Sequence, residues 1–361
     1  MQTIFVGMSG GVDSSVTAHL LLQQGYTVIG VFMKNWSGRL DTKQGTFDFP
    51  CSSQADFESA RQTAGHLGIP LYTFDFEAEY RQRVIEYFVS EIERGRTPNP
   101  DIMCNKEIKF KVFLDKCLSL GADKIATGHY ARVFETDDGA YLLKKGRDET
   151  KDQSYFLATL GQEQLSKTLF PIGELQKSEV RKIAQEIHLP NANRPDSQGI
   201  CFVGEIDVNQ FIKALVGENP GDIITQDGQV IGQHRGIYFH TIGQRKGLGI
   251  GGGIPYFVVE KRLETNQLVV AKGINPLDLY QNSVLLNQLT WSNTPATLPT
   301  DVSAKIRYRS SDIAVYLEQG KKLDEVVAHF KEPQRAVAEG QFMVFYHDDT
   351  LLGCGVMNRY V

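Results

Sequence analysis

Residues 4–15 read Ile-Phe-Val-Gly-Met-Ser-Gly-Gly-Val-Asp-Ser-Ser, and this stretch limits the fold more tightly than any other in the chain. Ile4, Phe5 and Val6 form an apolar run that predicts a buried strand. The run stops at Gly7 and the pair Gly10 and Gly11, where backbone can bend sharply and approach another group closely. Val12, Val16, Leu20 and Leu21, with Ala18, then follow at helical spacing. A strand-to-helix turn offers unpaired N–H groups and partial positive charge, and glycines let an anion reach them. Ser9, Asp13, Ser14 and Ser15 add hydroxyls and a carboxylate where the phosphates of a nucleotide would lie. Ser, Asp and Gly also begin ordinary helices. Six consecutive residues that all suit phosphate favour nucleotide binding over a plain cap. The lysine that a kinase-type loop places before its last Ser or Thr is missing.

Further apolar runs at 27–33, 71–74 and 124–127 predict strands. Between them, helices are expected at 53–67, closed by Gly68, at 77–94, and from a cap at Asn105 to 120. This alternation is that of an α/β doubly wound parallel sheet, which binds ligands at the carboxyl ends of its strands. Residues 34–51 are polar and aperiodic and read as a loop, and the prolines in 97–101 forbid regular structure. A hairpin is expected at 132–145 around Asp138-Gly139, helices at 153–165 and 178–187, and a loop able to move at 190–199. Beyond 209 short strands and Gly-rich turns take over. The expected division is a catalytic domain at 1–208, a small linking domain at 209–275 and a C-terminal β-barrel at 276–361.

The 38 basic and 43 acidic residues give a net charge of −5, which weighs only mildly against nucleic acid because binding depends on local patches. No apolar run reaches the length of a membrane span, and the first strand begins at once, with no signal peptide before it. Five cysteines do not resemble a secreted disulfide framework. A cytoplasmic protein is expected.

Cys104 lies just before the expected cap at Asn105, where a helix N-terminus would favour its thiolate. Cys201 ends a polar loop. Cys117 and Cys354 read as small buried residues, Cys51 is left open, and the absence of CxxC spacing argues against zinc. The glycine cluster at 247–253 contains G-x-G-x-x-G, but strand-like sequence follows it, so a dinucleotide site is rejected. His234-Arg235, Gln244-Arg245-Lys246 and Lys305-Ile306-Arg307-Tyr308-Arg309 are basic segments suited to a phosphate backbone or to a solvated face. Strand alternation would put Lys305, Arg307 and Arg309 on one side with Tyr308 behind.

Ser9-Gly10-Gly11-Val12-Asp13-Ser14-Ser15 resembles the pyrophosphate loop of the ATP pyrophosphatase superfamily. Its members split ATP between the α and β phosphates to adenylate an oxygen, then displace AMP. Added to that loop, Met33-Lys34-Asn35-Trp36, Thr97-Pro98-Asn99-Pro100-Asp101 with Cys104-Asn105, and Thr127-Gly128-His129-Tyr130 resemble the tRNA-specific 2-thiouridylases. Lys151-Asp152-Gln153-Ser154-Tyr155-Phe156, residues 196–202 and His240-Thr241-Ile242-Gly243-Gln244-Arg245 extend the likeness along the whole chain. Residues 37–40 and 193–195 depart from it.

The resemblance implies an adenine nucleotide alpha hydrolase-like sheet, with ATP held by Met8, Ser9, Gly10, Gly11, Val12, Asp13, Ser14, Ser15, Met33 and Gly128, and Mg²⁺ offsetting phosphate charge. It implies a tRNA anticodon arm whose flipped wobble uridine meets Asn99, Pro100 and Asp101, with His129, Lys151, Asp152, Gln153, Arg307, Tyr308 and Gln341 also on the RNA. The C2 oxygen would be adenylated, and sulfur would come as a persulfide on Cys201 from a sulfur-carrier protein or cysteine desulfurase. Cys104 would free or resolve it, leaving a Cys104–Cys201 disulfide, and Asp101 would move a proton. An amide ligase or lysidine synthetase would have no use for paired thiols, and a non-enzymatic tRNA-binding protein would not need the intact loop.

Overall fold

The computed structural model describes residues 1–196, 201, 207–251 and 253–359. The first half is built from β1 (Thr3–Gly7), α1 (Val12–Gln23), β2 (Thr27–Lys34), β3 (Arg39–Thr42), β4 (Gly45–Asp48), α2 (Ser53–Leu67) and β5 (Leu71–Asp75). Next come α3 (Glu77–Tyr80), a π-helical stretch (Arg81–Ile85), α4 (Glu86–Glu93), α5 (Pro100–Cys104), a second π-helical stretch (Asn105–Phe113) and α6 (Leu114–Ser119). It closes with β6 (Lys124–Ala126), β7 (Ala131–Glu135), β8 (Tyr141–Lys145), α7 (Gln162–Ser166), β9 (Thr168–Leu169) and α8 (Lys177–Glu186).

Among the described residues five of these strands form one parallel sheet in the order β5-β2-β1-β6-β9. β1 is buried on both faces, Ile4 and Val6 packing with Ala18, Leu21 and Ala60 while Phe5 packs with Val31 and Phe113. A central parallel strand covered on both sides needs such an unbroken apolar run. The strand order reverses between β1 and β6, so their carboxyl ends open the crevice in which such sheets bind ligands. Gly68, in the left-handed region at φ 69°, ends α2.

α9 (Val208–Val216) leads to a four-stranded sheet of β10 (Gly221–Thr225), β11 (Val230–His234), β12 (Tyr256–Arg262) and β13 (Gln267–Lys272). The last part has β14 (Tyr280–Trp291), β15 (Thr300–Lys305), β16 (Ile313–Gln319), β17 (Val326–Arg335), β18 (Phe342–His347) and β19 (Thr350–Asn358). These six pair antiparallel and close into a barrel through β14 and β19. Met343 and Phe345 of β18 point into the barrel, whereas Phe342, Val344 and Tyr346 pack on the first half of the chain. The hairpin β7–β8 joins the barrel sheet at Lys144 and Thr350.

Several expectations are corrected. The 34–51 segment carries the β3–β4 hairpin, with Trp36 and Leu40 buried against the core. The helix expected at 153–165 is a 3₁₀ turn (Ser154–Leu157) and the short α7. Asn105 is not a cap: Asn99 is, its side chain accepting from the Ile102 N–H at 3.1 Å, with Pro100 opening the helix. Cys104 therefore ends α5 and lies outside the field of a helix N-terminus. The 305–309 alternation also fails. β15 ends at Lys305, the chain turns, and Arg309 has φ 61°. Arg307 and Arg309 are exposed, while Lys305 turns inward onto Asp152 (3.3 Å). Of the 190–199 loop and the 196–202 motif, residues 197–200 and 202 lie outside the described residues. Among the described residues no helix is long and apolar enough to cross a membrane.

Asp152 is 5% exposed and also accepts from the Gly146 and Ser154 N–H groups. It locks the barrel to the first half of the chain through Lys305. Replacing Lys305 with methionine would strand that carboxylate, and is expected to cost about 3 kcal/mol. A urea unfolding midpoint clearly below wild type checks this, and an unchanged midpoint would show that the other donors suffice.

Candidate active site

The loop between β1 and α1 is held from several sides. Ser14 Oγ and Ser15 Oγ both donate to Gly11 O at 3.0 Å, and the Ser9 N–H donates to Ser14 Oγ at 3.2 Å. Gly10 O accepts from Ser59 Oγ (2.7 Å), Asn191 Nδ2 (2.9 Å) and Arg194 Nη1 (3.2 Å). Gly10 has φ +79°, and a Cβ there would meet Asp56 O at 2.3 Å. A Cβ on Gly128 would come within 2.8 Å of Asp13 C and Ser14 N, so glycine lets the loop after β6 press on the start of α1. Gly11 gives α1 no side-chain cap, which leaves its first N–H groups facing the crevice.

Cations ring this turn. Lys177 Nζ reaches Asp13 Oδ1 and Asp196 Oδ1, each at 2.7 Å, and Tyr130 OH donates to Asp13 Oδ1 at 2.9 Å. Arg181 and Lys151 bond Asp196 at 2.8 and 2.7 Å. Burial alone would raise the Asp196 carboxyl, but bonds from Lys151 and Lys177 outweigh it and hold it well below the usual range. Arg194 pairs with Asp56. These groups suit a polyphosphate. Met8, Val12 and Met33 are core side chains, so only their backbone can serve a nucleotide.

The second group centres on the cysteines. Cys201 and Cys104, 97 positions apart, are hydrogen-bonded to each other, and Lys109 also bonds Cys201. Asp101 Oδ1 accepts from the Cys201 N–H at 3.0 Å, and Tyr80 OH donates to Cys201 O at 2.8 Å. Cys104 is fully buried, and burial followed by the Cys201 bond pushes its thiol well above the ordinary range. The bond from Cys104 lowers the Cys201 thiol against the effect of burial, and the charge of Lys109 lowers it further. The expectation of an activated Cys104 is thus reversed: the Cys104 thiol is pushed up, and Cys201 is the one held below its ordinary range. Burial raises the Asp101 carboxyl, against the bond from the Cys201 N–H and the charge of Lys109.

The two groups adjoin. Lys109 Nζ lies 3.5 Å from His129 Nε2, and His129 Nδ1 lies 2.7 Å from Thr127 Oγ1. Gly128, between them, touches Asp13 and Ser14. The other expected site residues sit elsewhere or are already engaged. Asn99 and Gln341 bond each other at 3.4 Å, and Gln341 Nε2 donates to the Thr97 and Pro98 carbonyls, so they brace the barrel against the Pro100 turn. Gln153 holds the Tyr130 backbone, and Asp152 belongs to the seam. Arg307, Tyr308 and Arg309 line a cleft of about 350 Å³ on the barrel, with Tyr308 against Phe156 at 4.2 Å. Cys117 and Cys354 are buried in the core, and Cys51 is exposed. Lys109, Tyr80, Lys177, Arg181 and Asn191 escaped sequence reasoning. Lys177 and Arg181, four apart on α8, were the one signal available.

Three family models match in succession: a tRNA methyl transferase HUP domain over residues 2–205, a tRNA methyl transferase PRC-barrel domain over 209–272, and an aminomethyltransferase β-barrel domain over 281–357. The tRNA-specific 2-thiouridylase MnmA 1 of Geobacillus kaustophilus is 49% identical, the match covering 100% of this chain and 96% of that protein. The tRNA-specific 2-thiouridylase MnmA of Shouchella clausii is also 49% identical, over 99% and 96% of the two chains. A 4-thiouridine synthetase–RNA complex with bound ATP covers 59% of this chain and 50% of that one, at 14% identity and a TM-score of 0.34, a likeness too slight to argue from.

Proposed function

Because the chain belongs to the family of tRNA-specific 2-thiouridylases, we propose that it uses ATP to replace the C2 oxygen of a tRNA wobble uridine with sulfur. The observation that carries this reading is the junction of a phosphate-ready loop with a hydrogen-bonded cysteine pair, through Thr127, Gly128 and His129. Sulfur transfer needs both halves, whereas methyl transfer would leave the thiols without a task.

ATP lies with its phosphates on residues 8–15, facing Lys151, Lys177, Arg181 and Arg194. Among the described residues no group of three His, Cys, Asp or Glu could hold a metal, and Asp13 is already engaged by Lys177 and Tyr130. They build no resident site, so Mg²⁺ would arrive on the nucleotide. The C2 oxygen attacks the α phosphate, giving an adenylated base and pyrophosphate. A persulfide on Cys201, delivered by a sulfur-carrier protein or desulfurase, attacks C2, and AMP leaves. Cys104 then attacks the Cys201 sulfur, breaking the S–S bond so that sulfur stays on C2 and a Cys104–Cys201 disulfide remains. Alternatively Cys104 first frees sulfide from Cys201. In either route a dithiol reduces the disulfide, and Asp101, one bond from the Cys201 backbone, takes or gives the proton.

Incubating the protein with ATP, tRNA and a persulfide donor tests this. AMP and 2-thiouridine are expected in equal amounts, and methylated or unmodified tRNA would overturn the reading. The exposed Arg307 and Arg309 carry a separate expectation. Replacing both by alanine is expected to weaken tRNA binding and to lower the salt slope by about 0.7 to 0.9 for each phosphate that is no longer neutralised. A binding titration against salt checks it, and an unchanged slope would make this turn an ordinary solvated surface.

A further inference from the structure

Two π-helical stretches flank the cysteine pair. Wide i→i+5 turns are uncommon and re-aim the side chains that follow them. The first begins immediately after Tyr80, whose hydroxyl bonds Cys201 O. The second carries Lys109 at its middle, followed by Phe110 with non-helical φ −106° and ψ 20°. Phe110 packs by the His129 ring, and Lys109 comes to lie between Cys201 and His129. The distorted helix places a cation on a sulfur.

We infer that Lys109 is a positioning residue for sulfur transfer: its ammonium, 3.5 Å from His129 Nε2, stands against the Cys201 sulfur and orients it for attack, and it fixes His129 as the ring that donates from Nδ1 to Thr127. The charged and titratable groups around it come from each neighbouring element: Tyr80 from α3, Asp101 and Cys104 from α5, His129 after β6, and Cys201. Glu107, two residues before it, is already paired with Lys111 at 3.0 Å and Arg83 at 3.6 Å, so it does not neutralise Lys109. Burial and the nearby ammonium both keep His129 uncharged, in line with its accepting from Lys109 at Nε2. A persulfide on Cys201 would have its terminal sulfur within reach of the same cation, which would hold it anionic for attack on C2.

The inference rests on Cys201 being the sulfur-bearing residue, and its test reads the thiols without ATP or tRNA, so its failure is distinct from a failure to thiolate. The full-length protein is alkylated with iodoacetamide over about pH 5 to pH 10, and modification of Cys201 and Cys104 is followed by peptide mass spectrometry. Wild-type Cys201 is expected to react with a midpoint below the ~8.5 of an ordinary thiol, with Cys104 protected. Lys109→Gln is expected to raise the Cys201 midpoint by about one unit or more, and Lys109→Arg to return it toward wild type. A wild-type midpoint at or above the ordinary thiol value would overturn the inference whether or not any variant folds. So would a folded Lys109→Gln protein with an unshifted midpoint, or an arginine variant that titrates like the glutamine one.

Discussion

Cys201→Ser is expected to yield no thiolated tRNA while pyrophosphate release continues. A serine hydroxyl cannot carry a persulfide, and the adenylation step uses no thiol. Cys104→Ser is likewise expected to block net thiolation, but to let persulfide accumulate on Cys201, because the group that resolves it is gone. A hydroxyl at 104 can still donate to the Cys201 sulfur, so that variant should keep the Cys201 thiol below its ordinary range. Cys117→Ser and Cys354→Ser serve as controls. Both side chains are fully buried in the core, so each change costs about 1 kcal/mol of stability and leaves transfer intact. Thiolated-tRNA yield and mass spectrometry of the trapped protein check all four. Persulfide on Cys104 in place of Cys201 would exchange the roles, and full activity in either site variant would end the two-thiol mechanism.

Asp13→Ala and Ser14→Ala are each expected to lower pyrophosphate release at least about a hundredfold, the scale of losing one pre-placed polar group at a charged transition state. Ser14 both receives the Ser9 N–H and donates to Gly11 O, so its loss loosens the turn that the phosphates need. Asp13 holds Lys177, which without it is left to Asp196. tRNA affinity should change little, since the exposed arginines of the barrel turn lie on another domain. Release near the wild-type rate in both variants would remove the loop from the chemistry.

What could be read from the sequence follows from how strongly local forces fix each element. The helix Ser53–Leu67 and its Gly68 stop agree with the sequence to the residue, because a left-handed glycine after an amphipathic run has few alternatives. The parallel strands were legible because central strands are unbroken apolar runs. β3 and β4 were not, since their four-residue strands are mostly exposed and show no alternation. β9, two residues long, gives no pattern at all. The loop at residues 8–15 stood out because its chemistry is contiguous. Lys109 did not, because Lys106, Glu107, Lys109 and Lys111 look like the solvated face of an ordinary helix, and only a π register turns Lys109 toward the thiols. The error at Cys104 has a similar source. Both Asn99 and Asn105 can cap, and the choice depends on the Ile102 N–H that Asn99 captures.

The most direct test follows one atom. A tRNA whose wobble uridine carries ¹⁸O at C2 is thiolated with unlabelled ATP, and the AMP is analysed by mass spectrometry. If the C2 oxygen attacks the α phosphate and sulfur then displaces AMP, each 2-thiouridine is matched by one AMP bearing ¹⁸O in its phosphate. AMP without the label, formed alongside 2-thiouridine, would mean that this oxygen was never adenylated.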